Sequence, residues 1–194
     1  MPEIKLRCAC GQVKGTTENV NADSGTRIDC CCIDCQKFAQ LLGNKNQILD
    51  QYGGTDIFQI PLAHVSIYEG HEQLACVRLS PKGLYRWYAK CCNTPIGNTM
   101  NGNMPFIGII HNFMDNKATR DADLGKSRGH IHVESATAEV PVALQASLFK
   151  ITLRVLRKLI IWKIKGLNKP SAFFCQDGKV IVKPSIAVVQ TNNA

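Results

Sequence analysis

Residues 57–92 read IFQIPLAHVSIYEGHEQLACVRLSPKGLYRWYAKCC, and the fold class turns on them. Four runs rich in β-branched and aromatic residues stand in this stretch: Ile57-Phe58-Gln59-Ile60, then residues 64–68, 75–79 and 84–88. Glu69-Gly70-His71-Glu72 and Ser80-Pro81-Lys82-Gly83 break them. Strand lengths near five between turn residues predict an antiparallel meander and a mainly β protein.

Upstream of the meander, Cys8-Ala9-Cys10-Gly11 leads into Val13-Lys14-Gly15-Thr16-Thr17, which reads as a strand, a tight knuckle and a return strand. Cys30-Cys31-Cys32-Ile33-Asp34-Cys35 comes before residues 36–42, a short helical stretch. That order puts the thiols just ahead of a helix N-terminus, the end that favours negative charge. Downstream, Cys91-Cys92 closes the meander, residues 106–113 form a further strand ending near His111, and residues 114–130 read as polar loop.

Residues 140–165 have a helix-compatible composition, as one long helix or two. Leu144, Leu148, Ile151, Val155, Leu159 and Trp162 recur at three-to-four spacing, and Lys150, Arg154, Arg157, Lys158 and Lys165 form a basic stripe opposite them. Gly166 and Pro170 stop the helix. Residues 173–175 and 180–183 flank the turn Gln176-Asp177-Gly178-Lys179 as a terminal hairpin.

A chain of 194 residues with 45% hydrophobic and 20% charged residues can bury one core, which excludes global disorder and argues against two large domains. The expected organisation is a β domain over residues 1–135 that carries the cysteine clusters, with the basic helix and hairpin of residues 136–194 packed on it as an appendage. The first ten residues carry Glu3, Lys5 and Arg7 and no long apolar run, so no secretory leader is expected and the expected location is cytoplasmic. The longest uncharged stretch of the helical segment, residues 140–149, is 10 residues, against the roughly 20 a membrane span needs.

Much of the formal charge of +8 sits in residues 140–170, which hold seven basic and no acidic residues. Such a helix can pack its apolar stripe on the domain with a solvated basic face, which is the simplest expectation, or meet a polyanion or membrane surface. It lacks the interleaved aromatics used for base stacking, so no specific nucleic acid is expected. The basic face would also draw in a small anionic thiol.

Ten cysteines without a leader argue for thiolates rather than a disulfide framework. Short knuckles such as Cys8-x-Cys10 and Cys30-x-Cys32-x-x-Cys35 deliver convergent thiolates from one turn, as tetrahedral zinc requires. The candidate metal ligands are Cys8, Cys10, Cys30, Cys32, Cys35, Cys91 and Cys92. Three ligands from one segment would leave a fourth zinc position open for water or substrate. A metal-free redox sensor would use the same cluster and is the competing reading. Cys76 and Cys175, isolated in strand runs, read as buried small hydrophobes, and Cys31 is assigned no role. His111 reads as a partly buried structural histidine, His64 and His71 carry less, and His130-x-His132 reads as a solvated pair.

Taken in order, Cys8-Ala9-Cys10-Gly11-x-Val13, Cys30-x-Cys32-x-x-Cys35, Ile67-Tyr68-Glu69-Gly70-His71-Glu72-Gln73-Leu74 and Arg86-Trp87-Tyr88-x-x-x-Cys92-Asn93-Thr94-Pro95-Ile96-Gly97 resemble the glutathione-dependent formaldehyde-activating enzyme family, or centromere protein V-type domain. The resemblance covers about residues 4–112. It implies a mainly β zinc fold of the β-tent type, a structural zinc on the C-x-C pair and a later C-x-x-C pair, and a catalytic zinc on the central triplet. Cys8 and Cys10 match the structural pair, Cys30, Cys32 and Cys35 the triplet, and Cys92 the second member of the late pair. The chain departs at Ala89, where the family usually has the first cysteine of that pair, and carries an extra Cys91. Adjacent strand residues point to opposite faces, so Cys91 and Cys92 can share an ion only if a turn falls there. The implied activity is that of a zinc-dependent carbon–sulfur lyase acting on a thiol adduct such as S-hydroxymethylglutathione. The alternative is a non-catalytic, zinc-stabilised binding module whose basic helix meets a polyanion or membrane.

Overall fold

A computed structural model describes residues 3–187 of the chain. Its strands are β1 (Ile4–Arg7), β2 (Lys14–Thr17), β3 (Thr26–Cys30), β4 (Thr55–Ile60), β5 (Val65–Glu69), β6 (Leu74–Arg78), β7 (Tyr85–Ala89), β8 (Thr94–Thr99), β9 (Ile107–Ile110), β10 (His130–Ile131) and β11 (Ser185–Ile186). The helices are α1 (Ile33–Leu41), α2 (Lys45–Ile48), α3 (Arg120–Leu124) and α4 (Leu148–Ile164). The protein is mainly β, with antiparallel and mixed sheets.

The four expected runs all form strands, but they do not form one meander. β5 leaves the others and pairs antiparallel with β2, completing a three-stranded sheet in the order β1-β2-β5. The remaining strands make an eight-stranded sheet in the order β10-β3-β4-β9-β8-β7-β6-β11. Its inner pairs are antiparallel, while β10 on β3 and β11 on β6 are parallel.

Side chains alternate across the large sheet with the period of two that extended backbone dictates. On one face, Phe58 and Ile60 of β4, Ile107 and Ile109 of β9, and Trp87 and Ala89 of β7 join Ile4 and Leu6 of the small sheet and Val13, just before β2, in the larger core. On the other, Ile57, Val77 and Ile110 pack with Phe38, Ala39 and Leu42 at α1, Ile48 of α2 and Ile151 of α4. The large sheet is therefore the middle layer, between the small sheet and the helices. The turn out of β5 lies close against the knuckle that precedes β2. Gly70 has φ +80°, and a Cβ there would lie 2.2 Å from the Gln12 carbonyl oxygen of the cysteine knuckle, so only glycine fits.

Segment boundaries differ from the sequence reading in several places. α1 starts at Ile33 rather than Gln36, so Cys32 is its N-cap and Cys35 lies inside its first turn. The loop of residues 114–130 contains α3. The long helix begins at Leu148, where the Ser147 hydroxyl accepts from the Lys150 amide, and a 3-10 turn at Val142–Leu144 precedes it. The terminal hairpin is reduced to a bridge between Phe174 and Val180, closed by a Cys175 amide to Lys179 carbonyl bond of 2.8 Å. Phe173 and Phe174 are buried against Trp87, with ring centroids 5.0 and 6.0 Å away. Cys175 is exposed at the turn rather than buried. Residues 188–194 of the expected C-terminal segment lie outside the described residues.

Candidate metal centres

The knuckle after β1 is shaped by its own backbone. The Cys8 amide donates to the Val13 carbonyl at 3.0 Å, the Gly11 amide to the Cys8 carbonyl at 2.9 Å, and Gly11 takes the left-handed turn with φ 79°. The Val13 amide points at the Cys8 sulfur, 3.2 Å away. This geometry aims Cys8 and Cys10 at the end of β7, where Ala89 pairs with Thr94 across a turn formed by residues 90–93. Asn93 adopts φ 54° there. Cys91 and Cys92 thus lie in a turn and escape the opposite-face rule.

The four sulfurs of Cys8, Cys10, Cys91 and Cys92 all lie within 4.8 Å of one another. Cys8 to Cys10 is 3.6 Å, Cys8 to Cys91 3.9 Å, Cys10 to Cys91 3.3 Å and Cys91 to Cys92 3.8 Å. A tetrahedral zinc site with Zn–S near 2.3 Å places its sulfurs about 3.8 Å apart, so the donor set fits such an ion. The group can hold a metal with every position filled by protein. The adjacent pair brings two thiols to the group where Ala89 brings none, and Ala89 itself is buried in the core. Burial opposes ionisation of Cys92, but hydrogen bonds from the Thr94 hydroxyl and nearby amides bring its pKa down to about 6.

A second group lies on the other face of the large sheet. Cys30 ends β3, Cys32 caps α1 and Cys35 follows in its first turn, and their sulfurs also lie within 4.8 Å of one another. The protein supplies three thiols here. The Cys30 and Cys35 thiols donate to Cys32 and hold its pKa far below the ordinary thiol value, with help from the Cys35 amide and Arg86. Cys30 is pushed far up by the same hydrogen bonds. Cys31 faces away, where burial and the carboxylates of Asp50 and Asp29 push its pKa up to about 12. It is a neutral thiol with no part in either group, and Cys76, also pushed to about 12 by burial, is another.

Arg86 is the feature of this group that sequence reading missed. It sits on β7 between Tyr85 and Trp87, and alternation turns it to the helix face, where its side chain is 2% exposed. Its guanidinium lies 4.0 Å from the Cys35 sulfur, 3.3 Å from the Asn98 side-chain oxygen, 3.5 Å from the Asp34 carboxylate and over the Phe38 ring. The Arg-Trp-Tyr run marked this strand, but a buried arginine on it could be foreseen only with the sheet order known. Gln36 is a second such residue. Its side-chain amide donates to the Cys31 carbonyl at 2.7 Å and the Ser135 carbonyl at 2.6 Å, tying the loop after β10 to the cysteine segment.

The histidines belong to neither group. His130 is buried on β10, 2.7 Å from the Asp50 carboxylate and edge-on to Tyr52. His132 takes a left-handed backbone and pairs with Glu134 at 3.2 Å. They are therefore not the solvated pair expected from His130-x-His132. His111 follows β9 near Asp56 and Arg120, and burial lowers its pKa, in keeping with a structural histidine.

Residues 2–183 match the family of unknown function DUF6151, and the chain belongs to that family. No curated protein matches the chain. A crystal structure of a Rhodobacter sphaeroides protein, a structural genomics target, is similar at 18% identity and a TM-score of 0.46, covering 63% of this chain and 96% of that one. The resemblance to formaldehyde-activating enzymes rests on the motifs alone. No helix among the described residues is long and apolar enough to cross a membrane.

Proposed function

We propose that the chain is a zinc-dependent carbon–sulfur lyase-like enzyme acting on a thiol adduct such as S-hydroxymethylglutathione. The observation that carries this reading is the pairing of a complete four-cysteine group with a separate three-cysteine group on opposite faces of one sheet. Protein ligands fill a structural zinc site, whereas a catalytic one keeps a position for substrate. The ordered motifs shared with the formaldehyde-activating family support the same division of roles.

Zinc held by Cys30, Cys32 and Cys35 would supply a Lewis acid that lowers the pKa of a substrate thiol. The chain's own residues set the charge and shape around it. Three thiolates and a divalent ion leave one excess negative charge, and buried Arg86 is the opposite charge beside Cys35. Asn98 fixes that guanidinium, and Gln36 holds the loop after β10 in place. In the synthetic direction the thiol sulfur bonds to the carbonyl carbon of formaldehyde. The thiol proton ends on the former carbonyl oxygen, with no change of oxidation state overall.

The test is formaldehyde-dependent consumption of glutathione by zinc-loaded protein, with product formation followed directly. Cys32→Ser is expected to lower turnover at least about 100-fold while far-ultraviolet dichroism is unchanged. Full activity in that variant, or none in the loaded parent, would reject the reading.

A further inference from the structure

α4 is seated on the body by a narrow strip. Ile151 and Trp162 are buried, Val155 and Leu159 half-buried, and at one edge Arg154 and Lys158 donate to the loop before β3 through the Gly25 and Asp23 carbonyls. The sequence periodicity suggested that the face turned away would be basic. Instead it carries a second apolar stripe of Phe149, Leu153, Leu156, Ile160 and Ile164, at steps of four, three, four and four. All five are exposed, Phe149 at 77% and Ile164 at 81%. At 1.5 Å per residue the stripe runs about 22 Å along one face of the helix.

Four cations line one side of this stripe. Lys150, Arg154, Arg157 and Lys158 surround Leu153 in a shallow depression of about 290 Å³. Lys150 and Arg157 make no ion pair among the described residues. No acidic residue occurs between Glu139 and Asp177, so nothing on this segment balances them.

We propose that the outer face of α4 docks on an anionic lipid surface, lying in the plane of the interface. The stripe would enter the boundary between headgroups and acyl chains, and the depression would receive lipid phosphates. This goes beyond the proposed zinc chemistry and does not depend on it. A second copy of the chain fits less well, because stacking two such helices would bring unbalanced basic flanks together. The arrangement differs from a membrane span, since the other apolar stripe is seated on the body and no helix among the described residues is long and apolar enough to cross a bilayer.

The test is sedimentation of the full zinc-loaded chain with vesicles of phosphatidylcholine alone or with one-third phosphatidylserine. Binding is expected to the anionic vesicles and to weaken as salt rises from about 0.1 to about 0.5 M. Lys150→Gln combined with Arg157→Gln should lower affinity roughly 30-fold, at about fivefold per charge near the surface. Phe149→Ser combined with Ile160→Ser should lower it more than about tenfold. Both pairs are exposed, so zinc content and dichroism should match the parent. Binding to neutral vesicles with equal strength, or no binding to either kind, would overturn the proposal. So would a dimer in solution that the Phe149 and Ile160 changes dissociate, because a second copy would then cover the stripe.

Discussion

Arg86 is 2% exposed, and its company explains why a charge is tolerated there: one carboxylate, one amide oxygen, one aromatic face and the sulfur of Cys35. A cationic neighbour of a thiolate cluster should set how tightly that cluster holds a divalent ion. Arg86→Met keeps most of the volume and removes the charge. It is expected to weaken zinc binding at the triplet about 10- to 100-fold, read by chelator competition, and to leave the four-cysteine site unchanged. Cys31 gives the converse case. It lies between two triplet positions, yet its neutral buried thiol faces away, so Cys31→Ala should leave zinc stoichiometry unchanged and cost only about 1 kcal/mol in packing. All seven proposed ligands were legible as residues, because knuckle spacing is a local property. The turn that lets Cys91 and Cys92 converge was legible only as a condition, and Arg86 not at all, since its role depends on which strand lies next to α1.

At the level of elements, the strands that sequence reading found are those with dense β-branched or aromatic runs. β3, Thr26–Cys30, is half polar because its side chains alternate between core and rim. β8, Thr94–Thr99, carries Pro, Gly and Asn yet every residue in it is buried, so propensity pointed the wrong way. β10 and β11, at two residues each, are too short to leave a period. α4 was found by its period, but only one of its two apolar stripes was. The two stripes should behave differently on unfolding. Ile151→Ala or Trp162→Ala removes buried contacts and should destabilise by about 2 kcal/mol or more. Leu156→Ser on the outer stripe should stay within about 0.5 kcal/mol of the parent in urea titrations. Equal losses on both faces would mean that the outer stripe is covered by the protein itself.

At the scale of the whole molecule, the small sheet, large sheet and helix layer place the two cysteine groups on opposite sides of the middle layer. The four-cysteine group ties the knuckle after β1 to the turn after β7, so it joins the two sheets through points more than eighty residues apart in the chain. Metal bound there contributes directly to holding the layers together. The triplet ties only the end of β3 to the start of α1, which the backbone already connects, so losing its metal leaves the layers pinned. That asymmetry is the physical content of the proposed division into a structural and a catalytic centre, and one titration tests it. A chelator is added stepwise to zinc-loaded protein while bound zinc, far-ultraviolet dichroism and formaldehyde-dependent glutathione consumption are recorded on the same sample. Activity should vanish with release of the first zinc while the dichroism holds, and the dichroism should collapse only with the second. Loss of fold with the first zinc, or turnover that survives its release, would contradict the division.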